Sequence, residues 1–164
     1  MNEEKEPHDS RESKTRILIV DDHSIVRRGL IQLINQESDL VVCAEAENAE
    51  QALEAVTEQQ VDLAVVDISL TGTNGIKLTE KIKEQRPHLP VLILTMHDEA
   101  RYADSAFQAG ARGYVTKQEA AETVITAIRL VLSGQQYRSK TRAKKLPGDA
   151  GYKTADCRTR EYKS

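Results

Sequence analysis

The sequence has few of the residues that support disulfide-rich, zinc-binding or membrane-spanning proteins. Its 164 residues include no tryptophan, two cysteines, four prolines and six aromatic side chains. Cys43 and Cys157 are isolated and lack metal-type spacing, which argues against a disulfide framework or a zinc site. No apolar run approaches the roughly 20 residues of a membrane span, and the N-terminus lacks a signal-peptide segment. We therefore expect a cytoplasmic protein with an aliphatic core.

The net charge of −3 hides an asymmetry along the chain. Residues 1–134 carry 14 basic and 23 acidic side chains, whereas residues 135–164 carry nine basic and three acidic ones. An acidic body binds nucleic acid poorly, while a basic tail can bind phosphates or stay solvated. Because the length suits one well-buried domain with an extension, we predict a disordered leader over residues 1–14, a single domain over 15–134 and a basic tail over 135–164.

Short apolar runs alternate with segments of helical periodicity through the predicted domain. The runs predict five strands, at residues 17–20, 40–43, 63–66, 91–94 and 113–115. Runs that are apolar throughout indicate strands buried on both faces, and strand-helix-strand units require parallel pairing. With right-handed crossovers, the common solution is a flavodoxin-like α/β fold. We predict a five-stranded parallel sheet of order 2-1-3-4-5 with five helices on its two faces.

Polar side chains follow four of these predicted strands at the carboxyl end. They are Asp21, Asp22, Asp67, Thr95 and Lys117. Taken singly, an aspartate after a strand is often a turn former or a helix N-cap, and a lone lysine is usually solvated. Together, the five groups would share the sheet edge where open α/β folds bind ligands.

Converging carboxylates repel one another unless a hard cation compensates them, and oxygen ligands favour Mg²⁺. A carboxylate beside Mg²⁺ and a lysine can act as a nucleophile toward phosphorus and hold an aspartyl phosphate.

Four ordered stretches resemble the receiver (CheY-like) domain of two-component response regulators. They are ILIVDDH (17–23), LAVVDISLTGTNG (63–75), VLILTMH (91–97) and AGARGYVTK (109–117). The resemblance covers residues 14–134, and the LTMHDE run (94–99) is similar to the NarL/FixJ subgroup, whose output is a LuxR-type DNA-binding domain. It implies phosphorylation by a sensor histidine kinase, with self-phosphorylation and autodephosphorylation as the only chemistry.

The resemblance also implies a role for each site residue. Asp67 would be the phospho-acceptor, and Mg²⁺ would be held by Asp21, Asp22, Asp67 and the backbone carbonyl of Ser69. Lys117 and Thr95 would contact the phosphoryl group, and Thr95 and Tyr114 would form a switch pair. The Thr95 hydroxyl would move inward on phosphorylation, which would leave space for the Tyr114 ring. The last helix is expected to be mostly core, and a homodimer on phosphorylation is possible.

Three positions depart from the usual family pattern. Thr71 and Gln118 stand where many members have proline, and Met96 stands where a small residue is common, so that it could restrict access to the phosphate. His97 is interpreted as a loop residue rather than a catalytic one.

The tail offers too few aliphatic residues to build a DNA-binding module, although Thr159-Arg160-Glu161 resembles the start of one. Two interpretations stay open for residues 135–164: the remnant of a linker to a missing DNA-binding domain, or the cationic tail of a stand-alone receiver that acts through protein contacts. DNA binding is expected only through an output domain that is incomplete here. A phosphatase of the haloacid-dehalogenase type is a weaker alternative, because it needs a second aspartate where this chain has Ser69.

Overall fold

The computed structural model describes residues 14–70, 72–96 and 100–139 of the chain. Strands and helices alternate along it, as the hydrophobic pattern predicts. In chain order they are β1 (Thr15–Val20), α1 (Ser24–Asn35), β2 (Leu40–Ala46), α2 (Ala49–Glu58), β3 (Leu63–Asp67), β4 (Ser69–Leu70), β5 (Thr73–Asn74), α3 (Gly75–Gln85), β6 (Val91–Thr95), α4 (Ala100–Gln108), β7 (Gly113–Thr116), α5 (Ala120–Leu132) and β8 (Tyr137–Arg138).

The main sheet has six strands in the order β2-β1-β3-β6-β7-β8, and all of its pairs are parallel. Because β6 and β7 are the predicted fourth and fifth strands, the predicted fold and strand order are confirmed. The sixth strand, β8, was not predicted. Strands β4 and β5 form a separate antiparallel pair.

Side chains of the central strands alternate between two hydrophobic layers. On β1, Ile17 and Ile19 pack with residues of α1 and α5, whereas Leu18 and Val20 pack with residues of α2, α3 and α4. This alternation follows from the two-residue period of a strand, and it explains why the whole run is apolar. Helices therefore cover both faces of the sheet, as predicted.

The last helix contributes chiefly to the core. Val124, Ala127, Ile128 and Val131 are buried in α5. Their spacing of three and four residues places them on one face of the helix, so the expectation for this stripe is met.

Helix α3 starts unusually close to the end of β3. The Asn74 side chain caps it by accepting a hydrogen bond from the Lys77 backbone N–H at 2.8 Å. Its first residue, Gly75, donates its N–H to the Ile68 carbonyl at 2.7 Å. A Cβ at position 75 would collide with the Asp67 carbonyl oxygen, so this close approach requires glycine.

Several predictions fall on residues outside the described part of the chain. They concern Thr71, His97, residues 1–13 and residues 140–164. None of the helices in the described ranges combines the length and apolar character needed to cross a membrane. The domain limits at residues 14 and 134 stay predictions, although β8 shows that the ordered sheet reaches into the predicted tail.

Candidate functional site

The strand order brings two of the predicted aspartates together at the carboxyl edge of the sheet. Strands β1 and β3 are direct neighbours, with Val20 opposite Val66, so Asp21 and Asp67 follow paired positions. Asp67 is 2% exposed and Asp21 is 1% exposed. Two carboxylates thus lie side by side in the protein interior, at the point where parallel α/β sheets place their ligand sites.

Lys117 faces both of these carboxylates. It follows β7, and its Nζ lies 2.9 Å from Asp21 Oδ2 and 3.4 Å from Asp67 Oδ2. The lysine side chain is itself only 11% exposed. A single ammonium group is therefore shared between two buried carboxylates, and it compensates one of their two negative charges.

Burial and crowding of charge raise the pKa of Asp67 to about 6. Loss of solvent contact is the largest cause, and the neighbouring Asp21 carboxylate raises the pKa further. Lys117 and a backbone hydrogen bond from Ser69 act in the opposite direction. At neutral pH the Asp67 carboxylate is therefore ionised, but its charge is poorly solvated, which is the condition of an activated carboxylate nucleophile.

Asp22 and His23 complete the acidic cluster. The His23 Nδ1 lies 2.9 Å from Asp21 Oδ1 and 3.1 Å from Asp22 Oδ1. The His23 backbone N–H also donates to Asp21 Oδ1 at 2.9 Å. Sequence reasoning placed His23 in the family motif without giving it a role, and its only signal was its position directly after two aspartates.

The cluster has the chemistry of a cation site. One ligand atom from each of Asp21, Asp22, His23 and Asp67 lies within 4.8 Å of the others. The Oδ2 atoms of Asp21 and Asp67 are buried, and among the described residues the group that contacts both is the Lys117 ammonium, which leaves acceptor capacity on each oxygen. Buried carboxylate oxygens with spare acceptor capacity fit a hard divalent cation such as Mg²⁺.

The remaining predicted site residues lie on the same edge. Thr95 ends β6 and is fully buried, and its carbonyl accepts a hydrogen bond from the Lys117 backbone N–H at 2.6 Å. Ser69 begins β4, where it is exposed, two residues after Asp67. Met96 follows Thr95 and is 61% exposed, so its side chain is largely in solvent.

Tyr114 lies inside the protein rather than at its surface. The ring is 1% exposed and belongs to the hydrophobic layer that contains Ala103, Ala106 and Ala111. It is on β7, whose residues pair with those of β6, the strand that ends in Thr95. The two residues of the predicted switch pair are thus both buried, on neighbouring strands.

Comparison with known proteins shows that the chain is similar to response regulator receiver domains. The response regulator receiver domain model matches residues 17–129. The chain is 37% identical over 123 residues to the oxygen regulatory protein NreC of Staphylococcus epidermidis, covering 74% of this chain and 56% of NreC. It is 32% identical over 126 residues to the transcriptional regulatory protein DegU of Brevibacillus brevis, covering 77% of this chain and 53% of DegU. The chain therefore spans about half the length of these curated relatives.

Solved structures show the same fold. A LuxR-family two-component response regulator from Aurantimonas sp. SI85-9A1 superposes with a TM-score of 0.74 at 37% identity, covering 80% of this chain and 92% of that one. A CheY-like receiver domain protein from Methanospirillum hungatei superposes with a TM-score of 0.68 at 26% identity, covering 74% and 96%. The chain belongs to the response regulator receiver family of two-component systems, and its relatives place it in the NarL/FixJ subgroup.

Proposed function

We propose that Asp67 accepts a phosphoryl group from a sensor histidine kinase. The observation that carries the proposal is the pairing of two buried carboxylates, Asp67 and Asp21, that share the single ammonium group of Lys117. A structural ion pair would place one cation against one anion, whereas this arrangement keeps an anionic nucleophile beside a cation that can bind incoming phosphate oxygens.

The chemistry follows from the positions of these groups. An Asp67 carboxylate oxygen would attack phosphorus and form a new P–O bond, while the bond from phosphorus to the donor, an imidazole nitrogen in phosphohistidine, breaks. Asp67 needs no proton acceptor, because a pKa of about 6 leaves it ionised at neutral pH. The Lys117 ammonium group would pair with a phosphoryl oxygen, and the Thr95 hydroxyl would donate to another. The protein acts on itself and not on a separate substrate.

Asp21, Asp22, Asp67 and the backbone carbonyl of Ser69 would hold Mg²⁺. When bound, the ion neutralises the charge that accumulates between carboxylates and phosphoryl oxygens. The residues fit this role because the three carboxylates converge and two of their buried oxygens retain acceptor capacity.

Phosphorylation would be read out through Thr95 and Tyr114. A phosphoryl dianion on Asp67 would draw the Thr95 hydroxyl toward the phosphoryl group. The Tyr114 ring would then fill the interior space next to Thr95. In this structure the ring is already 1% exposed. In this proposal, a buried Tyr114 ring corresponds to the phosphorylated form and a ring turned outward to the alternative state.

We further propose that the receiver controls transcription in the cytoplasm through an output domain and that phosphorylation promotes a homodimer. The support is that DegU is named as a transcriptional regulatory protein and NreC as an oxygen regulatory protein. Both relatives are nearly twice as long as the matched region. A receiver that acts alone through protein contacts is the alternative.

Intact-protein mass spectrometry after incubation with acetyl phosphate and Mg²⁺ tests the central proposal. The wild-type protein should gain the mass of one phosphoryl group, and Asp67→Asn should gain none. Asp62→Asn is the matched control, because Asp62 precedes the same strand and accepts a hydrogen bond from the Arg16 backbone N–H, which an amide oxygen can also accept. A gain in Asp67→Asn would move the acceptor elsewhere, and no gain in any protein would refute the proposal.

A further inference from the structure

The segment that follows α5 is joined by backbone hydrogen bonds to Arg112, which precedes β7, and to Tyr114 within β7. Tyr137 donates its backbone N–H to the Arg112 carbonyl at 3.0 Å, and Ser139 donates its backbone N–H to the Tyr114 carbonyl at 2.8 Å. These bonds make β8 a parallel strand beside β7. The backbone of one residue of the proposed switch pair is therefore held by the segment that leads to residues 140–164.

The Ser139 side chain contacts the residue that precedes Lys117 of the phosphorylation site. The Ser139 Oγ accepts a hydrogen bond from the Thr116 backbone N–H at 3.2 Å, and Ser139 is 4% exposed. Thr116 immediately precedes Lys117. A buried side-chain hydrogen bond of this kind replaces the ladder contact that a longer strand would provide at the end of β7.

The segment is anchored on the rest of the domain as well. The Tyr137 side chain is half-buried and packs against the hydrophobic layer that contains Val124, Ala127 and Ile128 of α5. Arg138 pairs with Asp104 of α4, with 3.2 Å between Nη1 and Oδ1, and its guanidinium lies 6.0 Å from the centre of the Phe107 ring. The two-residue strand β8 thus contacts α4, β7 and α5. A linker that only connects two parts of a chain would not need contacts with all three elements.

Lys117 is fixed from two directions. Its own N–H is bonded to the Thr95 carbonyl at 2.6 Å, and the preceding peptide group is bonded to Ser139. The ammonium group at the other end of the Lys117 side chain contacts Asp21 and Asp67. A shift of Ser139 would consequently move the backbone from which Lys117 extends toward the phosphoryl group.

We propose that Ser139 is a positioning residue for the phosphorylation site, and that docking of the Tyr137–Ser139 segment and phosphorylation of Asp67 stabilise each other. This inference rests on the proposed function of Asp67. Because coupling between two binding equilibria is reciprocal, a docked segment that holds Lys117 in place must itself be held more tightly when a phosphoryl group binds Lys117. The phosphorylation state would thereby reach the chain beyond residue 139 directly from β7.

The test measures both directions of this coupling in the full 164-residue chain. Amide hydrogen exchange by NMR reports docking through the N–H groups of Tyr137, Ser139 and Thr116, with Mg²⁺ alone and with Mg²⁺ plus beryllium trifluoride as phosphoryl mimic. Coupling of ordinary strength predicts that exchange of the Ser139 N–H slows about fivefold or more on addition of the mimic. Unchanged or faster exchange in a protein that has bound the mimic would overturn the inference.

Ser139→Ala tests the other direction, with Ser133→Ala as matched control. Ser133 directly follows α5, where it is exposed, and its hydroxyl donates to the Leu130 carbonyl at 2.7 Å and accepts from Gln135 Nε2 at 3.3 Å, both local contacts. In Ser139→Ala without the mimic, the Thr116 N–H should exchange faster than in the wild type. The dissociation constant for the mimic should rise by about the same factor. Ser139→Thr retains the hydroxyl and should restore part of the binding, and Ser133→Ala should match wild type.

The outcomes separate this inference from the proposed function. A wild-type protein that gains no phosphoryl group from acetyl phosphate would overturn both. If the wild type is phosphorylated on Asp67 and Ser139→Ala binds the mimic as tightly as wild type, only the coupling through Ser139 is overturned.

Discussion

Asp67 is the residue whose ionisation works against folding. Its pKa is raised from 3.8 to about 6, which means that the folded protein binds a proton on Asp67 more strongly than the unfolded chain does. The stabilising effect of that proton is fully present below pH 3.8 and is lost as the pH rises through about 6. Above this window the folded state carries a desolvated charge. A pKa shift of this size corresponds to a destabilisation of the folded state by about 3 kcal/mol at most.

Asp67→Asn should therefore stabilise the metal-free protein, and the gain should depend on pH. We expect an increase in the free energy of unfolding of up to about 3 kcal/mol at pH 7.5 that shrinks markedly toward pH 4.5. Urea denaturation in EDTA at the two pH values measures it. A gain that is the same at both would show that the Asp67 charge is not the cause.

Lys117 moderates the same charge. Because its ammonium group lowers the pKa of Asp67, Lys117→Gln should raise that pKa further above 6. Titration of the Asp67 carboxyl carbon by NMR in metal-free buffer measures the change. Lys77→Gln is the control, since Lys77 is exposed on α3, and it should leave the titration unchanged. An unaltered Asp67 titration in Lys117→Gln would mean that the 3.4 Å contact carries little energy.

At this scale, the gathering of Asp21, Asp67 and Lys117 at one sheet edge was predictable, but the energetics of their contacts were not. A strand-end position is enough to bring Asp21, Asp67 and Lys117 to one edge, because parallel strands end on the same side. Whether Lys117 faces one carboxylate or two depends on side-chain conformation, which the sequence pattern does not contain. The contact of His23 with two aspartates could not be predicted for the same reason.

At the scale of elements, the position of Asp67 depends on how closely α3 approaches β3. Gly75→Ala would place a Cβ against the Asp67 backbone, which cannot move aside as a flexible side chain could. We expect a loss of about 1–3 kcal/mol in the free energy of unfolding and slower phosphorylation by acetyl phosphate.

Gly29→Ala is the matched control for that variant. Gly29 lies within α1, and a Cβ there would meet nothing within 4 Å. Since alanine favours a helix over glycine, this variant should be more stable by about 0.5–1 kcal/mol, with phosphorylation unchanged. Urea denaturation and mass spectrometry of both variants measure the contrast, and equal effects of the two substitutions would refute the argument from close approach.

The long elements were predictable from periodicity, and the shortest were not. The five predicted strands and the helices between them have apolar patterns long enough to distinguish a two-residue period from a helical one. Strand β8 has two residues, Tyr137 and Arg138, which are too few to show any period. It forms because β7 offers it an unpaired edge and because Ser139 supplies a hydrogen bond, and both are tertiary effects.

At the scale of the whole molecule, Mg²⁺ should act as a stabilising ligand. An ion that binds only the folded state raises the free energy of unfolding by about 2.7 kcal/mol at one hundred times its dissociation constant. We expect the wild-type melting temperature to rise by several degrees in excess Mg²⁺ relative to EDTA. The rise should be lost in Asp21→Asn and retained in Asp62→Asn. Equal shifts in both variants would place the ion outside the carboxylate cluster.

The two borders of the main sheet differ, and this has a consequence for assembly. Strand β8 pairs with the first two residues of β7, whereas β2 pairs only with β1 among the described residues. Alternate residues of the seven in β2 therefore direct backbone N–H and C=O groups outward, and the Val42 N–H donates to Asn35 Oδ1 at 2.9 Å. Unpaired strand edges are the places where proteins recruit a further strand or aggregate. The longer run for a strand added from another molecule is therefore at the β2 border, on the side of the sheet away from β7 and Tyr114.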